Sequence, residues 1–328
     1  MHTDLLAILR CPRTGERLRL ESAEERDGRI QSGSLTNEGG QHRYPIRNFI
    51  PRFVPESNYA DNFGMQWNRF RRTQLDSHSG QPISADRFWH STGWQPRECA
   101  GQWMLDVGCG AGRFAEVAAQ TGARLVALDY SSAVDACYAN LQRFANLDVV
   151  QGDIYALPFE RGSFPFVYSL GVLQHTPDVA RAFAALPPML SPDGRLCVDF
   201  YGRRFGTLLQ AKYALRPVTK RMSQQRLLSM LERSVPALLA VSTAVSRIPV
   251  LGRYLKRAIP VANYTGILPL SAEQLREWAL LDTFDMLAPE YDQPQRARDV
   301  RRWCDQAGLG GTEVFILGHL VARGRRHS

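Results

Sequence analysis

Residues 102–201 alternate between short apolar runs and amphipathic stretches, which is the pattern of strands that alternate with helices. The apolar runs predicted as strands are QWMLDVG, ARLVALDYS, LDVVQGD, FPFVYSLGVL and DGRLCVDFY. The stretches predicted as helices are RFAEVAAQTG, AVDACYANLQRFA and DVARAFAALPPML. This order predicts a mostly parallel α/β sheet with right-handed crossovers and helices on both faces.

The alternation stops after residue 202 and resumes near the end of the chain, with the helix ARDVRRWCDQAGLG and the hairpin TEVFILGHLVARG. The predicted fold is therefore a Rossmann-like, mostly parallel seven-stranded sheet whose last strand is antiparallel. The predicted units are a small accessory α+β domain at 1–55, a linker with an aromatic helix at 56–101, the core at 102–202, a helical lid at 203–295, and the final helix and hairpin at 296–328.

Two of the predicted helical segments lie outside the core. In the segment 56–101, Phe63, Trp67 and Phe70 follow each other at helical spacing, which predicts a face that packs on the main domain. In the lid, the helices are expected to be broken at three prolines, and they are expected to cover the carboxyl edge of the sheet. Those prolines are Pro217, Pro236 and Pro249.

Composition is that of an ordinary soluble protein, with 44% hydrophobic and 22% charged residues. The chain has no apolar run of about 18 residues and no apolar core of signal-peptide length at its start, so we expect a cytoplasmic protein. The six cysteines are scattered without a CxxC pair, which favours reduced, buried thiols.

The net charge of +8 is concentrated in one segment. Between Gly202 and Pro260 there are twelve Arg or Lys and one acid, Glu232, so this segment carries +11 and the remainder −3. Such a lid could attract an anionic small substrate, lie on an anionic membrane surface, or follow an RNA backbone. Its aromatic residues form no stacking motif, which disfavours RNA. They are Phe205, Tyr213, Tyr254 and Tyr264.

A glycine-rich loop connects the first predicted core strand to its helix. Gly108, Gly110 and Gly112 could hold the pyrophosphate of a dinucleotide at the helix N-terminus, but such a loop alone is weak evidence. Asp106, two residues before the first glycine, would repel a pyrophosphate and would suit an ammonium group.

Two further carboxylates follow the next two strands. Asp129 can accept hydrogen bonds from both ribose hydroxyls, and Asp153 can meet an adenine amino group. An ammonium group, a ribose and an adenine together describe S-adenosylmethionine, with S-adenosylhomocysteine as the product.

The motifs LDVGCGAGRF, ALDYS, QGDIYALPF, SLGVLQHTPD and LSPDGRLCVDF, in this order, resemble those of class I S-adenosylmethionine-dependent methyltransferases. The resemblance implies that the cofactor's methionine part, its ribose side and its adenine side are held by successive groups. The groups are Asp106 with Gly108, Cys109, Gly110 and Gly112; Asp129 with Tyr130 and Ser131; and Asp153 with Ile154. Leu170 and Gly171 would line the methionine end.

The N-terminal pieces LLAILRCPRTGERL and YPIRNFIPRF resemble the small zinc-ribbon-like domain that activates tRNA, rRNA and release-factor methyltransferases. The family's second cysteine is replaced by Thr14, and Cys11 with His42 cannot complete a four-ligand site. We therefore predict a zinc-ribbon-like domain that has lost its metal, and no metal elsewhere in the chain.

Candidates for the acceptor side come from three places. His175, after the fourth core strand, could be a general base or could brace its loop. Tyr201, at the end of the fifth strand, and Tyr264 in the lid are candidates for binding substrate. The stretch DTFDMLAPEYDQPQ is predicted to place four residues in one loop, two of which are further catalytic candidates. The four are Asp282, Asp285, Tyr291 and Asp292, and the catalytic candidates are Tyr291 and Asp292.

The expected function is O-methylation of a sugar or another small biosynthetic intermediate, including phosphorylated or lipid-linked ones, with a peripheral contact at the inner membrane face through 203–260. RNA methylation is the alternative enzyme. A non-catalytic cofactor-binding partner or regulatory subunit is the alternative of another class, which the three cofactor carboxylates disfavour.

Overall fold

A computed structural model of the chain describes residues 1–55, 61–203 and 210–327, so the predicted positions of Phe205 and of the Phe63 side chain lie outside the described residues. The N-terminal elements are β1 (Leu18–Arg26), β2 (Arg29–Asn37), β3 (Arg43–Arg47), β4 (Ile50–Pro51), α1 (Asp61–Arg69), α2 (Asp76–Ser79), α3 (Ile83–Thr92) and α4 (Pro96–Cys99). The core elements are β5 (Trp103–Val107), α5 (Arg113–Ala119), β6 (Arg124–Asp129), α6 (Ala133–Leu141), β7 (Leu147–Gln151), β8 (Phe164–Ser169), α7 (Val179–Ala184) and β9 (Leu190–Phe200). The remaining elements are α8 (Ala211–Thr219), α9 (Gln224–Ser246), α10 (Gly252–Leu255), α11 (Ala272–Leu287), α12 (Ala297–Gln306), β10 (Leu309–Leu317) and β11 (His319–Arg326).

The central sheet has seven strands in the order β10-β11-β9-β8-β5-β6-β7. Strands β5 to β9 pair in parallel, and β11 runs antiparallel to both of its neighbours. Strand β5 lies between β6 and β8, so the chain adds β6 and β7 on one side of it and β8 and β9 on the other. The loop after β5 therefore lies at the switch point, where open parallel sheets bind ligands. The predicted fold class is confirmed.

The central strand β5 is buried on both faces. Leu105 and Val107 belong to one apolar cluster, and Met104 belongs to the cluster on the opposite face. This separation follows from the alternation of side chains along a strand. Asp106 points to the same side as Met104 and is therefore a carboxylate inside an apolar layer.

The N-terminal four-stranded sheet packs against the β7 edge of the central sheet. The backbone N–H of Phe53 donates to the Gln151 carbonyl at 2.8 Å, and Arg52 pairs with Asp135 at 2.6 Å. Leu9 forms an isolated antiparallel bridge with Phe159. The two units share one apolar cluster, so the small domain covers an edge that would otherwise be open.

The lid helices α8 to α11 follow β9. The expectation that Pro217 and Pro236 break these helices is wrong, because both residues lie inside helices, in α8 and α9. Pro236 is exposed on α9, while Leu227, Leu231 and Val235 form its buried face. A proline on the solvent side removes one helical hydrogen bond where water can replace it, and the packed opposite face keeps the helix continuous.

Candidate functional site

A cavity of about 880 Å³ lies between the carboxyl ends of the sheet strands and the lid. Its walls combine three sources: the loops after β5, β6, β7 and β8, the helices α1 and α3 before the core, and the lid. A volume of this size matches sites that enclose small molecules.

The glycine loop forms one wall. Gly108 has a φ of 89°, and a Cβ built there would lie 2.4 Å from a methyl carbon of Val172. Both facts require glycine, because other residues disfavour this φ and the stiff valine side chain fills the space. The indole of Trp67 lies against the other side of the loop, where a Cβ on Gly110 would approach it to 3.2 Å.

Asp129 closes the loop from the end of β6. One of its oxygens accepts from the backbone N–H of Gly110 at 2.9 Å. The other accepts from the backbone N–H of Ser131 at 2.8 Å and from its hydroxyl at 2.7 Å. Burial raises the pKa of Asp129, and these donors oppose that effect. The carboxylate is thus oriented in advance at the cavity wall.

Asp106 is 2% exposed and lies behind the loop. Burial raises the pKa of this carboxyl well above its usual range, the nearby Tyr168 hydroxyl opposes the rise, and the charge on Asp129 adds to it. Within the residues that the structure describes, its Oδ2 atom has no hydrogen-bond partner. A cation in the cavity would favour the charged form of Asp106, so this carboxyl can support the ammonium group of S-adenosylmethionine from behind the wall.

The carboxylate of Asp153 is directed at its own loop. Its Oδ1 accepts from the backbone N–H of Tyr155 at 2.9 Å, and it is not among the residues that line the cavity. The neighbouring Gly152 and Ile154 do line the cavity. The wall at this point is therefore formed by backbone and an apolar side chain.

The structure divides the sequence-predicted cofactor residues into two groups. Those at the cavity wall are Gly108, Cys109, Gly110, Asp129, Tyr130, Ile154, Leu170 and Gly171. Those behind it are Asp106, Gly112, Ser131 and Asp153. The second group shapes or supports the wall, as Ser131 does through its two hydrogen bonds to Asp129.

His175 lies at the acceptor side of the cavity. Its Nδ1 lies 3.0 Å from the carbonyl oxygen of Tyr291, which can only accept, so this nitrogen carries the proton. The other nitrogen, Nε2, lies 4.0 Å from a carboxylate oxygen of Asp285. The hydroxyl of Tyr201 donates to the same carboxylate at 3.3 Å. The tautomer therefore presents Nε2 as a proton acceptor next to a carboxylate.

The expectation that four polar residues share one loop is wrong in part. Asp282 and Asp285 lie in the last turns of α11, which extends to Leu287, and only Tyr291 and Asp292 lie in the following loop. Helical spacing places the two α11 carboxylates on neighbouring positions of one face, and both line the cavity.

Tyr291 and Asp292, the other two catalytic candidates, do not line the cavity. Asp292 is buried in an ion pair with Lys212 at 2.7 Å, and Tyr291 contributes its backbone carbonyl to His175. The geometry therefore gives both residues positioning roles: Asp292 holds the lid helix α8 through Lys212, and Tyr291 orients the His175 imidazole.

The Asp282 carboxyl lines the acceptor side of the cavity. Burial raises its pKa to about 6, although Tyr264 donates a hydrogen bond to it. The side-chain amide of Gln74 also donates to it, at 3.0 Å. Tyr201 and Tyr264 have pKa values raised well above their usual range by burial, so both phenols stay protonated as donors.

Two arginines that sequence reasoning missed line the cavity. Arg113 donates to Ser84 and Gln74 at 3.0 and 3.1 Å, and burial lowers its pKa to about 10, which leaves it charged at neutral pH. Arg87, on α3, pairs with Asp199 at 2.5 Å. Arg113 directly follows the glycine loop and was detectable there, whereas nothing local in the sequence marks Arg87.

No group of three or more His, Cys, Asp or Glu that could hold a metal ion is found among residues 1–55, 61–203 and 210–327. In the N-terminal domain the Cys11 thiol contacts the Tyr44 hydroxyl at 3.2 Å. The absence of a zinc site stays a prediction.

Comparison with protein families gives two matches. Residues 105–198 match the model of a methyltransferase domain, and residues 2–48 match that of the Trm112p-like proteins. Together with the strand order and the glycine loop, these matches show a methyltransferase domain over residues 105–198 and a Trm112p-like region over residues 2–48. The predicted resemblances are confirmed.

Curated relatives match the core region. A ubiquinone biosynthesis O-methyltransferase of Acinetobacter baylyi is 30% identical over 129 residues, which cover 37% of this chain and 54% of the relative. Phosphoethanolamine N-methyltransferase 2 of Caenorhabditis elegans is 30% identical over 112 residues, which cover 32% of this chain and 25% of the relative. The chain therefore spans between about a quarter and about half the length of these relatives.

Solved structures with a similar fold include magnesium protoporphyrin IX methyltransferase from Synechocystis, crystallised with bound S-adenosylhomocysteine. That structure is 15% identical, with a TM-score of 0.44 and coverage of 82% of this chain and 96% of the other.

Proposed function

We propose that this protein is an S-adenosylmethionine-dependent O-methyltransferase that acts on a small hydroxylated molecule, a sugar or another biosynthetic intermediate. The observation that carries the proposal is the presence of two sites in one cavity: a glycine loop with Asp129 at one end, and the pair of His175 and Asp285 at the other. The first site suits the methyl donor, and the second suits a hydroxyl that must lose its proton.

S-adenosylmethionine, when bound, supplies an activated methyl group on a sulfonium. The residues of this chain that would hold it are the backbone of Gly108–Gly112, Asp129 against the ribose, and Asp106 near the ammonium group. Alignment of a nucleophile with such a donor is the main contribution that a protein makes to methyl transfer.

The chain's own chemistry then concerns one proton. With Nδ1–H held by the Tyr291 carbonyl, His175 can accept the hydroxyl proton of an acceptor at Nε2. Asp285 is placed to stabilise the imidazolium that forms. A hydroxyl acceptor needs such a base more than an amine does. The curated relatives include an O-methyltransferase and an N-methyltransferase, and so do not decide between the two acceptors. The pair of His175 and Asp285 favours a hydroxyl acceptor in this protein.

Charge in the cavity bears on the acceptor class. Arg113 lines the wall from the core, and Arg257 joins it from the lid. Cations from the core and from the lid favour an acceptor that carries negative charge, such as a phosphorylated sugar or a lipid-linked phosphate.

RNA methylation is the second candidate. It is favoured by the basic segment 203–260 and by the match of residues 2–48 to the Trm112p-like proteins. A base would have to leave its stack and enter between lid and sheet, and the described part of the lid, residues 210–295, offers no row of stacking aromatic side chains. These points make a small acceptor the better-supported substrate.

The test uses purified full-length protein in two stages. Calorimetry with S-adenosylmethionine and S-adenosylhomocysteine measures cofactor binding first. Methyl-labelled cofactor is then supplied with three acceptor sets: hydroxylated aromatic compounds, phosphorylated and nucleotide sugars, and total tRNA with rRNA. We expect label in a small hydroxylated acceptor.

Label only in RNA would replace the proposal with the second candidate. Cofactor binding without transfer to any set would favour a non-catalytic partner, and the absence of binding would refute both enzyme proposals.

A further inference from the structure

The connection between α9 and α10 ends in a cluster of exposed apolar side chains, which we call the apolar tip. Its members and their exposed fractions are Ile248 (44%), Val250 (73%), Leu251 (56%), Tyr254 (52%) and Leu255 (43%). Val241 on α9 and Ile267 in the following loop are exposed by 52% and 66%. Isolated exposed apolar residues are ordinary, but a contiguous group of this kind marks an interaction surface.

Val250, in the apolar tip, has an unfavourable backbone conformation. Val250 has a φ of 57°, and the N–H of Leu251 donates to the carbonyl of Pro249 at 2.5 Å, so Val250 is the central residue of a γ-turn. A β-branched residue at positive φ is disfavoured where glycine or asparagine would relieve the strain. The Val250 side chain is 73% exposed, so its burial does not offset this backbone strain.

Gly252 makes the tip compact. It is buried, and a Cβ built there would lie 2.3 Å from the carbonyl oxygen of Val245. Only glycine allows α10 to return this closely onto the end of α9. The apolar side chains before and after Gly252 are therefore held together at one end of the lid.

The charges around the tip have one sign. No acidic residue occurs between Glu232 and Glu273, whereas Arg233, Arg247, Arg253, Lys256 and Arg257 lie in this stretch. Arg247, Lys256 and Arg257 are exposed beside the tip. Apolar side chains ringed by cations complement a surface that offers negative headgroups above an apolar interior.

Helix α9 is long and apolar enough to cross a membrane by length and composition, and 17% of its best window is buried. However, Leu227, Leu231 and Val235 pack with Phe284 of α11 in the lid's own apolar cluster. Because the first half of α9 packs on α11, lipid cannot surround this helix. The C-terminal end of α9 is left as the part that can contact a membrane surface.

We propose that the apolar tip, with its flanking cations, docks the lid on the surface of an anionic lipid bilayer. Arg257 and Leu268 line the cavity, and the exposed Ile267 directly precedes Leu268. The docked surface is therefore continuous with the cavity wall. If the proposed methyltransferase function holds, this continuity favours an acceptor that is itself anchored in lipid.

The experiment measures co-sedimentation of the full chain with vesicles, so it requires no catalytic activity and can fail independently of the proposed function. Vesicles of phosphatidylcholine alone are compared with vesicles that contain about 30% phosphatidylglycerol. We expect binding to the anionic vesicles, with a partition coefficient several-fold lower in 0.5 M than in 0.1 M salt. The variant Val250→Asp/Leu251→Asp should lower the partition coefficient at least about tenfold.

Leu317→Asp is the matched control, because Leu317 is also apolar and exposed, by 38%, but lies at the end of β10 in the core. It should bind as the unaltered chain does. Equal binding of the tip variant, equal binding to vesicles without anionic lipid, or no binding at all would each overturn the proposal. Circular dichroism shows that both variants are folded before they are compared.

Discussion

The two ends of the cavity are built in different ways. The proposed cofactor end consists of backbone and strand-end residues that lie within one continuous stretch, from Asp106 to Gly171. The acceptor end consists of side chains from helices and loops that are far apart in the chain, such as Gln74, His175 and Asp285. The first end is rigid because the sheet fixes it. The second depends on how the lid packs. Substitutions at the acceptor end can therefore change acceptor specificity without loss of the cofactor site.

The largest effect should come from the acceptor end. His175→Gln keeps a donor for the Tyr291 carbonyl but removes the proton acceptor, so kcat should fall by about 10²–10⁴ with cofactor affinity unchanged. Asp285→Asn should lower kcat less, because the imidazole stays in place. Steady-state kinetics with an acceptor found by the labelling test give the comparison, and a kcat within threefold of the unaltered enzyme would show that His175 only braces its loop.

At the cofactor end, Gly108→Ala should weaken S-adenosylmethionine binding by about a hundredfold, because an unfavourable φ and a clash with Val172 together cost about 2–5 kcal/mol. Gly122→Ala is the matched control: its φ of 78° is similarly unfavourable, but nothing lies within 4 Å of the added Cβ. Calorimetry should show unchanged affinity in the control. Equal losses in both variants would mean that backbone strain alone is responsible.

The two strand-end aspartates should differ. Asp129→Ala removes a cavity-wall carboxylate that also holds Gly110, and should weaken cofactor binding by about 10–100-fold. Asp153→Ala removes a carboxylate that caps its own loop, so we expect a loss of less than about fivefold. A larger loss for Asp153 would restore the direct adenine contact predicted from the sequence.

Asp282 should make stability depend on pH. Its pKa is raised from 3.8 to about 6 in the folded state, so the folded protein binds more protons than the unfolded chain between these values. Stability should therefore fall as pH rises from about 4 to about 6, by at most about 3 kcal/mol because cavity water screens the charge. Urea unfolding across this range measures the slope. Asp282→Asn should reduce the slope by the contribution of Asp282, and an unchanged slope would assign it to the buried Asp106 and Asp129, whose pKa values are also raised.

The smallest effect is expected in the N-terminal domain. Because we predict that this domain has no zinc, EDTA should leave the melting temperature of the full chain unchanged within about 1 °C. Elemental analysis of the purified protein provides the control. A drop of several degrees that zinc reverses would show that the domain retains a metal.

Local pattern predicted the core well and the lid poorly. The strands from β5 to β9 are short apolar runs between turn residues, so their positions follow from local sequence. The predicted break at Pro236 is wrong because tertiary contacts can keep a helix continuous through a proline. In α9 these contacts are made by Leu227, Leu231 and Val235. The loop prediction for Asp285 is wrong because no glycine or proline interrupts the helix before Pro289, and α11 extends to Leu287.

The site shows the same division. The sequence alone determined that a glycine loop follows the first core strand, with Asp106 before the loop and Asp129 at the end of the next strand, since the positions of strands along the chain are encoded locally. Only the tertiary structure decided that His175 faces Asp285 and that Arg87 pairs with Asp199 beside the cavity. Such meetings depend on how the lid and α3 bury their apolar faces against the core, which is a property of the whole packed molecule and of no single segment.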